Sequence, residues 1–308
     1  VPFRYAVHFP GSIVQGSPLD PGGFVVKIDG KSRVCAVIGN PVEHSLSPAL
    51  HNAAFSEKRL NMCYVAFRVE DLAAAVAGVR GLNLLGLSVT IPHKVNILQY
   101  LDEVEETAGR IGSVNTVLNR EGRLIGYNSD GLGAARALEE ADIPLAGTKI
   151  TILGSGGAAR AIAFSLGKAA ALREMTLLGI EVEECRLLAE DLKKALSFPV
   201  TWEAMSPEAL GRHVPGSDGL IHCTPVGMSP HEEQSVLDRQ LLRPGQFVFD
   251  VVYNPLKTRL LQEAESVGCR IVAGVEMFLH QAVFQFELWT GQAAPVDVMR
   301  RVVMEALG

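Results

Sequence analysis

Short apolar runs alternate with longer stretches of helical periodicity along most of the chain, and the alternation starts at Arg33. Residues 34–38 are apolar and end in Gly39, which reads as a strand. Ser47 and Pro48 then open a helix through Arg59, with Ser47 as N-cap and Pro48 at the first helical position. Residues 62–69 alternate and carry β-formers, a second strand; residues 71–79 are Ala-rich and helical; residues 84–90 are a third strand, and Pro92 starts another helix. Residues 114–118 and 124–127 read as a hairpin around Glu121-Gly122, followed by a helix at 130–140 that ends before Pro144.

The pattern restarts at Lys149. Residues 150–153 are a strand, followed by Gly154-Ser155-Gly156-Gly157-Ala158 and an Ala-rich helix. Further strands are expected at 175–178, 200–202, 220–223, 247–252 and 270–272, and residues 277–307 are helical. Strands alternating with helices imply an α/β protein with parallel sheets covered on both faces. A chain of 308 residues is long for one domain, and the boundary falls near Pro144-Leu145. Residues 1–30 hold Pro10-Gly11, Ser17-Pro18 and Asp20-Pro21-Gly22-Gly23, a string of turn formers that suggests an extended arm or an added leader.

Composition narrows the function classes. The chain is 48% hydrophobic and 20% charged, enough to bury a large core, and with 6% aromatics that core is mostly aliphatic. A formal charge of −6 gives no general attraction to nucleic acid or anionic lipid. The five cysteines form no C-x-x-C pair, and an odd count argues for reduced thiols and a cytoplasmic setting. No stretch is apolar enough to span a membrane, and no signal-peptide order opens the chain. The eight histidines show no metal-ligand spacing with Cys or carboxylates.

Gly154-x-Gly156-x-x-Ala159 follows a strand and opens a helix, the context a dinucleotide fingerprint requires. Gly154 permits the tight turn, Gly156 lets the backbone approach a pyrophosphate, and Ala159 lets helix and strand pack closely. The next strand runs into Leu178-Gly179-Ile180-Glu181-Val182-Glu183-Glu184, with three carboxylates and no arginine. A carboxylate there suits the ribose hydroxyl of NAD and repels a 2′-phosphate. Those glutamates also suit the solvated first turn of a helix.

The first domain carries polar residues at strand ends and helix starts: Ser45, Ser47, Thr90, Lys94, Asn115 and Asp130. Singly, each has a structural reading, such as Ser47 as a cap, Asn115 as a turn residue or Lys94 as a surface charge. As an ordered set they resemble the shikimate dehydrogenase family. Its S-x-S-P is Ser45-Leu46-Ser47-Pro48, and its N-V-T-x-P-x-K is Ser88-Val89-Thr90-Ile91-Pro92-His93-Lys94. A-V-N-T appears as Ser113-Val114-Asn115-Thr116, and G-x-N-T-D-G-x-G as Gly126-Tyr127-Asn128-Ser129-Asp130-Gly131-Leu132-Gly133. After the glycine loop, N-x-T-P-x-G-M is matched from His222 through Thr224 to Met228, Y-x-P-x-x-T from Tyr253 to Thr258, and G-x-x-M by Gly274 and Met277, with Gln281 downstream.

The resemblance implies an N-terminal substrate domain (31–144), a Rossmann-type dinucleotide domain (145–274) and C-terminal helices (275–308) that return to the first domain, with a cleft between. It implies reversible reduction of 3-dehydroshikimate to shikimate with NAD(P), on the way to aromatic amino acids. Lys94 and Asp130 would be the catalytic pair. Ser45 and Ser47 would hold the substrate carboxylate, and Thr90, Asn115 and Gln281 its hydroxyls or carboxylate end, with Tyr253 close by. The cofactor would lie on Gly154, Ser155, Gly156, Gly157 and Ala158, with Glu181 near its ribose and Thr224, Met228, Gly274 and Met277 at its nicotinamide end. Ser88, Ser129 and His222 depart from the family's Asn, Thr and Asn. The family default is NADP, whose N-R-T phosphate clamp is replaced here at Gly179, Ile180 and Glu181; Arg160 and Arg186 are the basic residues left to reach a phosphate. The rival readings are a quinate or dual quinate/shikimate dehydrogenase and a non-catalytic sensor on the same scaffold. The expected partner is a small molecule, with no nucleic acid or membrane, and the chain a monomer or homodimer.

Overall fold

The structure is a computed structural model that describes residues 28–308; the arm or leader expected at the N-terminus lies almost wholly outside the described residues. The first sheet comprises β1 (Arg33–Gly39), β2 (Met62–Arg68), β3 (Gly86–Val89), β4 (Glu103–Val104), β5 (Thr116–Arg120) and β6 (Arg123–Tyr127), in the order β2-β1-β3-β5-β6-β4. With it run α1 (Ser47–Glu57), α2 (Leu72–Gly81), α3 (Glu106–Ile111) and α4 (Asp130–Glu140). The sheet is mixed rather than parallel: β2, β1 and β3 are parallel, whereas β5 is antiparallel to both β3 and β6. The hairpin is the cause, because Glu121 and Gly122 both have positive φ, as a two-residue turn matching strand twist requires.

Two expected helix starts are corrected. Ser47 is the first helical residue of α1, Leu46 stands at the N-cap, and no side chain caps the helix there. The Ser47 N–H instead donates to Ser45 Oγ at 3.3 Å, leaving the Ser47 side chain buried. No α-helix starts at Pro92. The buried His93 ring sits 2.9 Å from the Val69 carbonyl and pins a turn onto the end of β2. A short 3-10 segment, Asn96–Tyr100, follows, and α3 begins only where Glu105 caps it through the N–H groups of Thr107 and Ala108.

The second sheet comprises β7 (Lys149–Leu153), β8 (Glu174–Gly179), β9 (Val200–Ala204), β10 (Gly219–His222), β11 (Phe247–Asp250) and β12 (Arg270–Ala273). All neighbours are parallel, in the order β12-β11-β10-β7-β8-β9. The chain moves outward from β7 to β9 and returns on the other side at β10, so the switch point lies between β7 and β10. The helices with it are α5 (Gly157–Ala169), α6 (Val182–Ala195), α7 (Pro207–His213) and α8 (Arg259–Val267). The expected C-terminal helices are α9 (Gly274–Thr290) and α10 (Val296–Leu307), divided where Gly291 ends α9 in the left-handed conformation and Pro295 follows.

The two halves share α4 and α9. Ala134, Ala137 and Leu138 of α4 pack in the core of the second sheet with Ile150, Ile152 and Phe164. On α9, Phe278, Leu279, Ala282, Phe286 and Trp289 pack with Leu50, Phe55 and Tyr64 of the first half, and Met299 and Val303 of α10 join them. The C-terminal helices therefore return to the first sheet. All five cysteines are free thiols. No helix among the described residues is long and apolar enough to cross a membrane.

Candidate active site

Thr90 directly follows β3, Lys94 lies in the turn pinned by His93, Asn115 directly precedes β5, and Asp130 opens α4. These local positions bring Lys94 Nζ within 2.5 Å of Asp130 Oδ2, with side-chain exposures of 16% and 5%. The pair is nearly dry, so its electrostatics are far stronger than those of a surface ion pair. Asn115 Nδ2 donates to Asp130 Oδ1 at 2.8 Å, and the Asp130 N–H donates to Asn128 Oδ1 at 3.0 Å. Both carboxylate oxygens of Asp130 are thus held, and the Lys94–Asp130 pair stands in a fixed geometry.

Gln281 on α9 joins this group, its Oε1 accepting from Asn115 Nδ2 at 3.3 Å. Tyr253 stacks on Phe278 with ring centroids 4.4 Å apart. Burial pushes the Tyr253 hydroxyl pKa up, against a hydrogen bond with the Leu46 backbone that draws it down. Tyr253 therefore abuts the Ser45–Ser47 segment. Burial also pushes up the Tyr64 hydroxyl, with Ser88 and Ser47 among the groups drawing it down. Among the described residues no side-chain hydrogen bond ties Ser45 or Thr90 to the Lys94–Asp130 group, although Ser45 is bonded to the start of α1.

The sequence reading did not single out Tyr64, His51, Thr116 or Gln285, and noted Ser88 only as a departure. Gln285 lies one turn after Gln281 on α9, an i,i+4 spacing that was the available signal. Tyr64 OH donates to Ser88 Oγ at 2.6 Å, and Ser88 Oγ to Gln285 Oε1 at 2.8 Å. His51 is fully buried and stacks on Tyr64 with centroids 4.5 Å apart. Burial pushes its pKa down to about 3, against a smaller opposing effect of Gln285, so the ring is neutral at neutral pH.

The glycine loop faces the same region from the second sheet. Gly154 has φ +111°, a conformation that disfavours any side chain, and a Cβ there would stand 3.1 Å from the Cys223 carbonyl oxygen. Gly156 is extended at the N-cap of α5, no side chain caps that helix, and a Cβ at Gly156 would meet nothing within 4 Å. The first N–H groups of α5 are thus open to an anion, and the cradle fits a dinucleotide pyrophosphate. Ala158 and Ala159 continue the helix, with Ala159 fully buried. A Cβ on Gly157 would lie 3.2 Å from Lys94 Cδ, so the loop abuts the catalytic candidate.

Ser155 Oγ donates to Glu184 Oε2 at 3.2 Å. Glu181 is exposed at the N-cap of α6, its side chain making no cap bond. Arg186 is held between Glu183 and Glu190, and Arg160 donates to the Ile111 carbonyl at 2.7 Å and to Asp191 at 3.0 Å. Both arginines that could receive a phosphate are engaged by carboxylates. Thr224 Oγ1 lies 2.5 Å from His222 Nε2, whose other nitrogen is 2.9 Å from Asp250 Oδ1. Met228 is half-exposed in the following loop, Met277 is buried on α9, and Gly274 packs on the backbone after β11. Away from this region, Glu140, Glu276 and His280 bring ligand atoms within 4.8 Å of one another, a grouping that histidine spacing did not reveal. Arg300 donates to both carboxylates there, which makes it an ion-pair cluster tying α4, α9 and α10.

Shikimate dehydrogenases are found by family model, by sequence relatives and by solved structures alike. Family models for the shikimate dehydrogenase substrate binding domain and the shikimate 5′-dehydrogenase C-terminal domain match residues 37–117 and 274–304. The chain is 44% identical to the shikimate dehydrogenase (NADP(+)) of Moorella thermoacetica over 92% of this chain and 97% of that one. It is also 44% identical to the enzyme of that name from Methanopyrus kandleri, over 92% and 98%. A shikimate dehydrogenase crystal structure in complex with NADP+ superposes with a TM-score of 0.85 at 38% identity, covering 94% of this chain and 100% of that one. The Listeria monocytogenes shikimate 5-dehydrogenase in complex with shikimate and NAD gives 0.81 at 37% identity, covering 90% and 98%.

Proposed function

The chain belongs to the shikimate dehydrogenase family, and from that premise we propose that it reversibly reduces 3-dehydroshikimate to shikimate with a nicotinamide dinucleotide. The observation that carries the reading is the dry Lys94–Asp130 pair, 2.5 Å apart and abutting the glycine loop at Gly157. When bound, the cofactor supplies or accepts the hydride. The proton that leaves the substrate's C3 hydroxyl is taken up by the pair, and in reduction the pair returns it. The Lys94 ammonium also stabilises negative charge developing on the ketone oxygen.

Ser45 and Ser47 donate to the substrate carboxylate beside Tyr253. Thr90, Asn115 and Gln281 bind its ring hydroxyls or carboxylate end. Residues 31–144 form the substrate domain and residues 145–274 the cofactor domain, with residues 275–308 closing back on the first. Gly154, Ser155, Gly156, Gly157 and Ala158 cradle the pyrophosphate; Thr224, Met228, Gly274 and Met277 lie at the nicotinamide end. The cofactor is NAD at least as readily as NADP. A 2′-phosphate beside Glu181 and Glu184 meets carboxylates and no unengaged guanidinium, whereas a ribose hydroxyl finds an acceptor. Five free thiols fit the reducing cytoplasm.

A two-by-two assay of shikimate or quinate with NAD or NADP tests this reading. The expected result is kcat/KM for shikimate at least ~10-fold above quinate, since the enzyme must discriminate at one hydroxyl beside Ser45 and Ser47. Preference for quinate overturns the substrate assignment, and no turnover with either overturns the enzyme.

A further inference from the structure

One directed chain of hydrogen bonds runs through the core to the Asp130 carboxylate, and its sense follows from donor chemistry. Asp130 Oδ2 accepts from Lys94 Nζ and Oδ1 from Asn115 Nδ2, so the Asn115 carbonyl faces away. The main-chain N–H of Ser129 donates to that carbonyl at 2.8 Å, which fixes the amide's orientation. Thr116 must then donate to Asn115 Oδ1, as it does at 2.8 Å, and so accepts from Gln285 Nε2 at 3.0 Å. Gln285 Oε1 in turn accepts from Ser88 at 2.8 Å, and Ser88 Oγ accepts from Tyr64 OH at 2.6 Å. Each hydroxyl has a single proton, so reversing one link breaks the next.

Gln285 is the member that makes the chain continuous between the first sheet and α9. It is fully buried, so no bulk water can replace its bonds to Ser88 and Thr116; its Nε2 also lies 3.4 Å from Gln281 Oε1 and 3.5 Å from the Asn115 carbonyl. The geometry points to Gln285 as a positioning residue for the reaction: through Thr116 it holds the Asn115 carboxamide with its N–H toward Asp130, and so holds Asp130 against Lys94. This rests on Lys94 and Asp130 being the reacting pair. Bonds aligned in one sense also polarise one another, which strengthens the hold on Asp130 beyond that of isolated pairs.

The test compares Gln285→Met with Gln285→Glu. Methionine keeps the length and removes both polar ends. A neutral glutamic acid keeps a carbonyl for Ser88 and an O–H for Thr116, whereas its carboxylate only accepts and reverses the Thr116 link. Gln285→Met is expected to lower kcat ~10–100-fold, the scale of a small misplacement of reacting groups. KM for shikimate should move less than ~3-fold, since the loss lies in the reacting step rather than in uniform binding. Gln285→Glu should approach wild-type kcat at low pH and lose it as pH rises through a new ionisation absent from both the wild type and Gln285→Met. A folded Gln285→Met with kcat within ~2-fold of wild type overturns the inference, as does a Gln285→Glu pH profile without the new limb. If the Met variant does not fold, the Glu profile decides alone. Lys94→Ala is measured alongside: if it keeps its turnover, the reacting pair is wrong, whereas an inactive Lys94→Ala beside an unperturbed Gln285→Glu removes only the role of Gln285.

Discussion

Lys94 and Gly157 meet where the two sheets face each other: a Cβ on Gly157 would stand 3.2 Å from Lys94 Cδ and 3.3 Å from Lys94 Cβ. The second glycine of a pair in the cofactor loop thus leaves the space that the lysine side chain fills. Gly157→Ala adds a methyl there, 2.9 Å from the buried Ser113 Oγ as well, so Ser113 or the lysine must give way. Turnover is expected to fall ~10-fold, because a small misplacement of a reacting group is costly. Wild-type turnover in Gly157→Ala shows that the contact does not set the position of Lys94.

Carboxylate recognition is read through Ser45 and Ser47. Each hydroxyl should contribute ~1.5–3 kcal/mol to binding a charged substrate, so Ser45→Ala and Ser47→Ala mainly raise KM for shikimate. Ser45 also accepts the Ser47 N–H, so Ser45→Ala carries the added stability cost of a lost local bond. Shikimate methyl ester should be insensitive to both changes. If the ester and the acid respond alike in wild type and variants, the assignment is wrong.

His51 gives a pH prediction. Its pKa lies at about 3 in the folded protein and at about 6.5 in the unfolded chain, because burial disfavours the charged ring. Between those values the unfolded state binds the extra proton, so the contribution to stability is complete above pH 6.5 and is lost as pH falls toward 3. The slope is about 1.4 kcal/mol per pH unit for one group. His51→Phe keeps an aromatic ring beside Tyr64 and removes the titration. Denaturant unfolding from pH 7 to 4 should show wild type losing stability more steeply than the variant; parallel curves contradict the shift.

For the cofactor, Arg186 is already bound by Glu183 and Glu190. Arg186→Ala should therefore leave the NAD/NADP ratio of kcat/KM within ~3-fold, since a guanidinium that receives a phosphate is worth far more. A tenfold or larger preference of wild type for NADP, abolished in Arg186→Ala, means that the arginine leaves its glutamates for the phosphate.

The features legible in the sequence are those that local pattern controls. Gly154 and Gly156 sit between strand and helix, where the fingerprint spacing puts them, and Thr90, Asn115 and Asp130 fall at element ends, though only the resemblance made them, with Ser45, a site. What was not legible depends on distant or weak determinants. Ser88 and Gln285 meet across 197 positions, which no periodicity reports. The turn at Lys94 reads as a helix because Pro92 suits a first turn, yet the His93–Val69 contact decides otherwise. β4 has two residues and α3 six, too few to show a period. The mixed first sheet was implicit in the hairpin at Glu121-Gly122, but the surrounding βα alternation suggested parallel order.

The central claim is that the Lys94–Asp130 pair handles the substrate proton, and Lys94→Ala tests it most directly. Steady-state turnover with shikimate and saturating cofactor should fall by at least ~100-fold, the scale of a positioned acid–base group. Shikimate affinity, measured by equilibrium binding, should change far less, and the fold should remain intact by circular dichroism. Near-normal turnover in a folded Lys94→Ala variant contradicts the account.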